Sequence, residues 1–350
     1  MTEVPRNTIL IGDAATRLRQ LPPASIDTLV TSPPYYLLRD YDTPGQLGLE
    51  PNIDAWVANL RTVMAEVTRV LKPSGCVWLN LGDSYSRHPK FGAPPKSLLL
   101  AGERLLLALV EDGWIVRNKV IWAKPNPLPT SITDRLTLTY EVVYLLVRSP
   151  RYFFDLDAIR EPHRSHAGRK AGAPVAKRPE WAGPLAGKQD GLRRARDADQ
   201  PGHELGKNPG DVWTIPTRGF RGPHFATFPP ELIRKPILAT CPEAICTRCG
   251  TPWRRQVTVR RIPVGPPAKK PFNRHRQIMR FGDRWHTVRE IGELVPCSCN
   301  APTVPGVVLD PFMGAGTVGL VAEELGRDWI GVEINPEYRD LAIERVKAAR

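Results

Sequence analysis

No stretch of this 350-residue chain is apolar for long enough to cross a bilayer, which takes about 18 uncharged residues. The nearest run, residues 98–110, is broken by Glu103 and Arg104 and reads as a buried helix. The opening Met1-Thr2-Glu3-Val4-Pro5 has no basic segment ahead of an apolar one. No secretory leader is expected, and the predicted location is cytoplasmic with no membrane partner. Cysteine is scarce, six in all, and in the cytoplasm thiols stay reduced, so disulfides are not expected. The seven histidines are scattered, and no pair has the spacing of a helical metal site. A phosphate-binding loop with its lysine is missing, as is G-x-G-x-x-G, which argues against ATP and dinucleotides. No internal repeat and no nuclease motif is present.

Basic charge is present in excess, and its distribution is uneven. The net charge is +13. Segments 160–200 and 254–290 hold 21 of the 49 Lys and Arg but only 7 of the 36 Asp and Glu, which leaves the rest of the chain near neutral. Solvated loops are the plain explanation; a surface that binds a polyanion explains the concentration better.

Outside those segments, strand-like and helix-like runs alternate. Strands are predicted over 8–11, 26–30, 76–80, 115–122, 142–148, 307–309 and 329–333. Helices are predicted over 14–21, 53–71, 97–111, 230–239, 317–325 and 336–349. In 53–71 the apolar residues Trp56, Leu60, Val63, Met64, Val67 and Val70 recur at helical intervals, and Lys72-Pro73-Ser74-Gly75 ends the run. Such alternation indicates a mainly parallel α/β sheet. Five parts follow: 1–159 and 301–350 as α/β domain, 160–211 as a loop-rich insertion, 212–240 as a return to order, and 241–300 as a cysteine-containing basic insertion.

Two turns carry chemistry. The first is Asp310-Pro311-Phe312-Met313-Gly314-Ala315-Gly316-Thr317, between a strand and a helix. Its glycines let a ligand approach the backbone, and the helix N-terminus offers free N–H groups. Glu333 ends the next strand, 19 residues after Gly314. An acidic residue at that distance binds ribose hydroxyls in nucleotide sites. An adenosine cofactor without phosphates fits this set.

The second turn is Ser32-Pro33-Pro34-Tyr35, at the carboxyl end of a predicted strand, where open α/β sheets bind ligands. An exocyclic amine on a nucleobase is a poor nucleophile because its lone pair is delocalised. Acceptors for its N–H groups pull the nitrogen towards sp3 geometry. Ser32 Oγ can accept one such bond and the Pro33 carbonyl another. The prolines stiffen the segment, and Tyr35 offers a face for the base. No strong base is required, since an activated methyl group is displaced in line and positioning governs the step. Glu141, which opens a predicted strand, reads as structural.

Together these motifs resemble those of amino-group DNA methyltransferases. Their order, catalytic motif first and cofactor motif near the C-terminus, resembles the beta class. The resemblance implies a class I S-adenosylmethionine-dependent methyltransferase fold: Rossmann-like, seven-stranded, mostly parallel and circularly permuted. It implies base flipping from double-stranded DNA. Catalytic roles fall to Ser32, Pro33, Pro34 and Tyr35. S-adenosylmethionine contacts fall to Asp13, Asp310, Pro311, Phe312, Gly314, Gly316, Thr317, Glu333 and Asn335, with 225–230 covering the methionine end. Serine ahead of Pro-Pro-Tyr is associated in the family with cytosine N4. Adenine N6, an RNA substrate and an inactive DNA-binding protein stay open, as do a separate restriction enzyme as partner and the oligomeric state.

Four cysteines remain to be explained. Cys246-Thr247-Arg248-Cys249 is a knuckle with metal spacing, and Cys297-Ser298-Cys299 supplies a second pair after 47 residues. Four thiolates suit structural zinc in a zinc-ribbon-like insertion; free thiols, or Cys241 as a substitute ligand, are the alternatives. Cys76 sits in a predicted core strand, where burial is expected.

Overall fold

In the central strands, successive side chains go to opposite faces, and both faces are apolar. The strand Leu71–Leu81 (β3) sends Val77, Leu79 and Leu81 into one core and Cys76 and Trp78 into the other. The strand Tyr140–Val147 (β5) does the same with Val142, Tyr144 and Leu146 against Val143, Leu145 and Val147. A sheet that is apolar on both faces must be covered on both. One face carries the helices Ala14–Leu18 (α1), Ile53–Val70 (α2) and Ala101–Glu111 (α3). The other carries Pro230–Thr240 (α5), Thr317–Glu324 (α6) and Pro336–Lys347 (α7); the short helix Leu156–Ile159 is α4. The computed structural model describes residues 4–162, 203, 205–217, 227–263 and 285–348. Most of the loop-rich insertion 160–211, expected to recognise the DNA target, the middle of the basic insertion, and the first residues of the expected 225–230 cover lie outside the described residues.

The remaining strands of the main sheet are Thr8–Ile11 (β1), Ile26–Thr31 (β2), Ile115–Ala123 (β4), Val212–Thr214 (β6), Val307–Asp310 (β11) and Asp328–Glu333 (β12). Their order is β1-β12-β11-β2-β3-β5-β4-β6. Among the described strands of this sheet, only β5 runs antiparallel to its neighbours, β3 and β4. The seven expected strands are all present. The eighth, β6, pairs parallel to the edge strand β4 (Trp122↔Trp213), and with three residues it is too short to show a period in the sequence. The order shows the permutation directly: β12 and β11, from the end of the chain, lie between β1 and β2.

Two elements differ from the sequence reading. The helix expected from residue 97 begins at Ala101, because Leu98 bridges to Tyr85 and Asp83 caps the helix by accepting from the Leu100 and Ala101 amides. The strand after α2 starts at Leu71 instead of Cys76, with an irregularity between the Ile26 and Thr28 pairings that takes up Pro73 to Gly75.

The chain divides into two compact units. The first comprises Met1–Asp155, Gly210–Arg254 and Pro296–Arg350; the second comprises Leu156–Pro209 and Arg255–Val295. In the first unit, Ala244–Cys246 (β7) pairs antiparallel with Thr303–Val304 (β10) and with the start of Pro252–Pro263 (β8). Further along, β8 pairs with Trp285–Val295 (β9). No helix among the described residues is long and apolar enough to cross a membrane.

Candidate active site

The cofactor turn is held from behind. Gly314 and Gly316 have φ of +48° and +77°, where a side chain is strained. A Cβ on Gly316 would come within 2.8 Å of the Ala342 Cβ, so the turn packs tightly on α7. Arg345 from α7 donates to the Ala315 carbonyl at 3.0 Å and to Thr317 Oγ1 at 2.9 Å. Glu333, at the end of β12, accepts from the Gly314 amide at 2.7 Å and from the Asn335 amide at 2.9 Å. Asp310, at the end of β11, accepts from Thr31 Oγ1 at 2.6 Å and from the Phe312 amide at 3.0 Å.

These ends open on one cavity, and a concave site at strand ends suits a small-molecule ligand. Asp13, Ser32, Pro34, Asp310, Pro311, Phe312, Gly314, Thr317, Glu333 and Asn335 all line it. Of the expected cover, residues 227–230 are described, and Thr227 and Phe228 line the cavity too. Asp13 also caps α1, accepting from the Thr16 amide at 2.8 Å. Asn335 caps α7 and donates to Thr43 Oγ1 at 3.2 Å. The cavity's ionisable residues are carboxylates and tyrosines, with no Lys or Arg among its described lining. Burial pushes the Asp310 carboxyl up to about 7, with Glu333 adding repulsion, and burial raises Glu333 as well. A pocket with two buried carboxylates and no counter-charge suits a cationic ligand. S-adenosylmethionine, which carries a sulfonium and an ammonium, fits that donor set.

The sequence reading missed Tyr41, Thr43, Gln46, Leu47, Ile334 and Tyr338, which also line the cavity. The turn-forming Asp42-Thr43-Pro44-Gly45, close after the catalytic motif, was the available signal for most of them. Gln46 Oε1 accepts from the Tyr41 and Thr43 amides and ties that loop to itself.

Ser32 borders the same cavity at the end of β2, so the two motifs meet in space although 278 positions separate Ser32 from Asp310. Pro33 is buried beside a small apolar void lined by Leu29, Leu60 and Leu79. The Pro34 carbonyl is engaged by Trp56 Nε1 at 3.0 Å. No hydrogen bond reaches the Pro33 carbonyl among the described residues, and Pro33 is not among the residues that line the cavity.

Tyr35 does not line the cavity. Its ring lies on Gly82, where a Cβ would approach Cε2 to 2.6 Å. Its hydroxyl is 3.1 Å from Ser32 Oγ, 3.1 Å from Asn80 Oδ1 and 2.7 Å from Glu141 Oε2. Burial first, and the Glu141 charge second, hold the phenol protonated. Glu141 in turn pairs with Lys124, which also lies over the Trp122 ring. Nothing in the spacing of Lys124 and Glu141 shows that both sit under the catalytic motif.

The sulfurs of Cys246, Cys249, Cys297 and Cys299 lie within 4.8 Å of one another. Cys241 is buried elsewhere, against Gly306, and is not part of the group. The indole N–H of Trp253 is buried without an oxygen or nitrogen partner and helps to lower the Cys297 thiol, after the Cys299 amide. A buried indole donor aimed at a sulfur of the cluster fits thiolates held by a metal ion. Cys76 is buried, and desolvation pushes its thiol up to about 12, as a core residue requires.

A doubly covered, permuted sheet with a carboxylate-lined cavity shared by a glycine turn and a Ser-Pro-Pro-Tyr turn defines a class I methyltransferase architecture. A DNA methylase family model (N6_N4_Mtase) matches residues 26–245 and 292–344. The chain belongs to this DNA methylase family. Type II methyltransferase M.XycI of Xanthomonas campestris pv. cyanopsidis is 32% identical over 97% of this chain and 88% of its own length. The PvuII DNA methyltransferase (cytosine-N4-specific) shares the fold, with a TM-score of 0.56 at 18% identity over 99% of this chain and 92% of its own. TTHA0409 of Thermus thermophilus, solved with S-adenosyl-L-methionine, has a TM-score of 0.51 at 21% identity over 97% and 94%.

Proposed function

We propose that this DNA methyltransferase transfers the methyl group of S-adenosylmethionine to N4 of a cytosine flipped out of double-stranded DNA. The observation that carries the proposal is the meeting of Ser32 with Asp310, Gly314 and Glu333 around one cavity. S-adenosylmethionine supplies a methyl carbon already activated as a sulfonium. Glu333 holds the ribose, Asp13 borders the adenine, and Asp310 offsets positive charge at the methionine end. Ser32 Oγ and the Pro33 carbonyl accept from the target amine and aim its lone pair. Gly82 lies against one side of the Tyr35 ring, and the base is proposed to stack on the other. Serine ahead of Pro-Pro-Tyr supports cytosine over adenine through the family resemblance. The 32% identity to a type II methyltransferase supports a role beside a separate restriction enzyme. Segments 160–211 and 241–300, with their excess of Lys and Arg, are assigned to DNA contact, where phosphate contacts set affinity.

Incubation with S-adenosylmethionine and mixed-sequence DNA, followed by digestion to nucleosides and mass spectrometry, tests the assignment. N4-methylcytosine is the expected product. N6-methyladenine keeps the mechanism and overturns the base, while no methylated base with cofactor bound overturns the activity.

Cys246, Cys249, Cys297 and Cys299 are proposed to bind one structural zinc. Four thiolates leave no open position, so the ion does not take part in the chemistry. Elemental analysis is expected to give one zinc per chain. Cys249→Ser is expected to lower the melting temperature by several degrees, following a loss of roughly 2 kcal/mol or more at a structural site. A metal-free protein with unchanged melting would refute the assignment.

A further inference from the structure

We infer that Glu141 is a positioning residue for catalysis: through the Tyr35 hydroxyl it fixes the direction of the Ser32 hydroxyl, so that Ser32 turns lone pairs to the target amine. The inference rests on the assignment of Ser32 as an amine acceptor. Its basis is the count of hydrogens along the chain Ser32, Tyr35, Glu141.

A serine hydroxyl both donates and accepts. Pointed at the substrate, its hydrogen would face the N–H groups of an amine and repel them. Something must draw that hydrogen away. Glu141 is an acceptor only, and at 2.7 Å from the phenol oxygen it takes the single Tyr35 hydrogen. The phenol oxygen is then left to accept, and Ser32, 3.1 Å away, donates to it. Asn80 Oδ1 competes for the Tyr35 hydrogen, but at 3.1 Å and without charge it is the weaker acceptor. The Asn80 amide is oriented by donation from Nδ2 to the Val142 carbonyl at 3.2 Å, so its oxygen also faces the phenol as an acceptor. Both neighbours therefore push the hydroxyl hydrogens the same way, out of the cavity.

The placement of Glu141 favours this role over a purely structural ion pair. It is the second residue of β5, next to Val142, which pairs with Leu81 at the end of β3. Its side chain is 17% exposed and that of Lys124 is 18%, so the pair is withdrawn from water under the catalytic turn. A structural ion pair needs only Lys124; it has no need of a bond to the phenol of the catalytic motif. Lys124 approaches one carboxylate oxygen, Oε1, and leaves Oε2 to Tyr35.

The experiment is a double-mutant cycle on the full-length protein, read as the single-turnover rate of methyl transfer with DNA and cofactor saturating. Glu141→Gln is near-isosteric, and its amide, drawn to Lys124 by oxygen, presents N–H groups to the phenol. The rate is expected to fall roughly 10- to 100-fold, the effect of a misdirected buried hydrogen bond. Dissociation constants for DNA and for S-adenosylmethionine are expected to stay within about twofold, since the group touches neither. In a Tyr35→Phe background, which lacks the connecting hydroxyl, the same change is expected to cost less than about twofold. An equal loss in both backgrounds, or none in either, overturns the inference. Ser32→Ala separates the two levels: if it too leaves the rate unchanged, the acceptor role of Ser32 has failed; if it is slow while Glu141→Gln is normal, only the role of Glu141 has failed. Unchanged melting of Glu141→Gln guards against a folding defect, and if it melts early, the milder Glu141→Asp, which keeps the carboxylate, is expected to recover part of the rate.

Discussion

Replacing Ser32 with alanine is expected to reduce the single-turnover rate of methyl transfer about 100- to 1,000-fold, with cofactor and DNA affinity nearly intact. Removing one preorganised hydrogen-bonding group from a reacting centre typically costs that much, about 3–4 kcal/mol. The group here accepts instead of donating, and the physics is the same: a fixed dipole meets charge that grows as the reaction proceeds. The amine becomes more acidic as its nitrogen bonds to carbon, so an acceptor on its N–H strengthens towards the transition state. The effect belongs in the rate and not in the binding constants, because the amine is nearly neutral before transfer. Rapid-quench kinetics with labelled cofactor reads the rate, and calorimetry reads cofactor binding. A variant that binds the cofactor tenfold more weakly and reacts at the normal rate would move Ser32 from the reacting amine to the cofactor.

Cofactor affinity is expected to depend steeply on pH because of Asp310. Its carboxyl in the free protein is pushed up to about 7 by burial, with Glu333 as a further like charge. A sulfonium and an ammonium in the cavity favour the ionised form, so binding expels a proton near neutrality. Affinity is then expected to be level above about pH 8 and to weaken about tenfold per unit below about pH 7. Stability of the free protein moves the other way. The unfolded carboxyl titrates near about 3.9; the folded one is raised above it. The resulting stabilisation is full below about pH 4 and is lost as pH rises through about 7. Bound cofactor is expected to compensate in that range by favouring the ionised carboxylate. Asp310→Asn is expected to bind about 10- to 100-fold more weakly at pH 8, in line with the loss of a buried charge-assisted contact. It is also expected to lose most of the pH slope. Calorimetry in two buffers of different ionisation enthalpy counts the released proton, and an affinity that stays constant from pH 6 to pH 8 would rule out this role.

What the sequence carried depended on how local each feature is. Helix α2 was legible because its buried residues, from Trp56 to Val70, follow one face within a single element. The cofactor turn was legible because Gly314, Gly316 and Glu333 belong to one strand–turn–helix–strand unit. Strand β6 was not, since three residues give no period and its pairing with β4 is set from far along the chain. The loop carrying Tyr41, Thr43 and Gln46 reaches the cavity because Asn335, almost three hundred residues later, holds Thr43. Glu141 is the sharpest case. Alone it is one acidic residue at the start of an apolar strand; its bond to Tyr35 exists because β5 lies antiparallel beside β3.

The strand order has a consequence for synthesis. As the chain leaves the ribosome, β1 and β2 emerge close together, yet in the finished sheet the two strands β11 and β12, which follow much later in the chain, lie between them. Until those strands arrive, β1 has no partner and β2 has one open flank, with unpaired backbone groups on both. The pairing Thr8↔Ile330 spans nearly the whole chain, and contacts of such separation form late and slowly. A nascent chain that stalls before Val307 lacks Asp310, Gly314 and Glu333, and with them the cofactor side of the cavity. The enzyme is therefore assembled last at its centre, and a partly made copy has nowhere to hold a methyl donor.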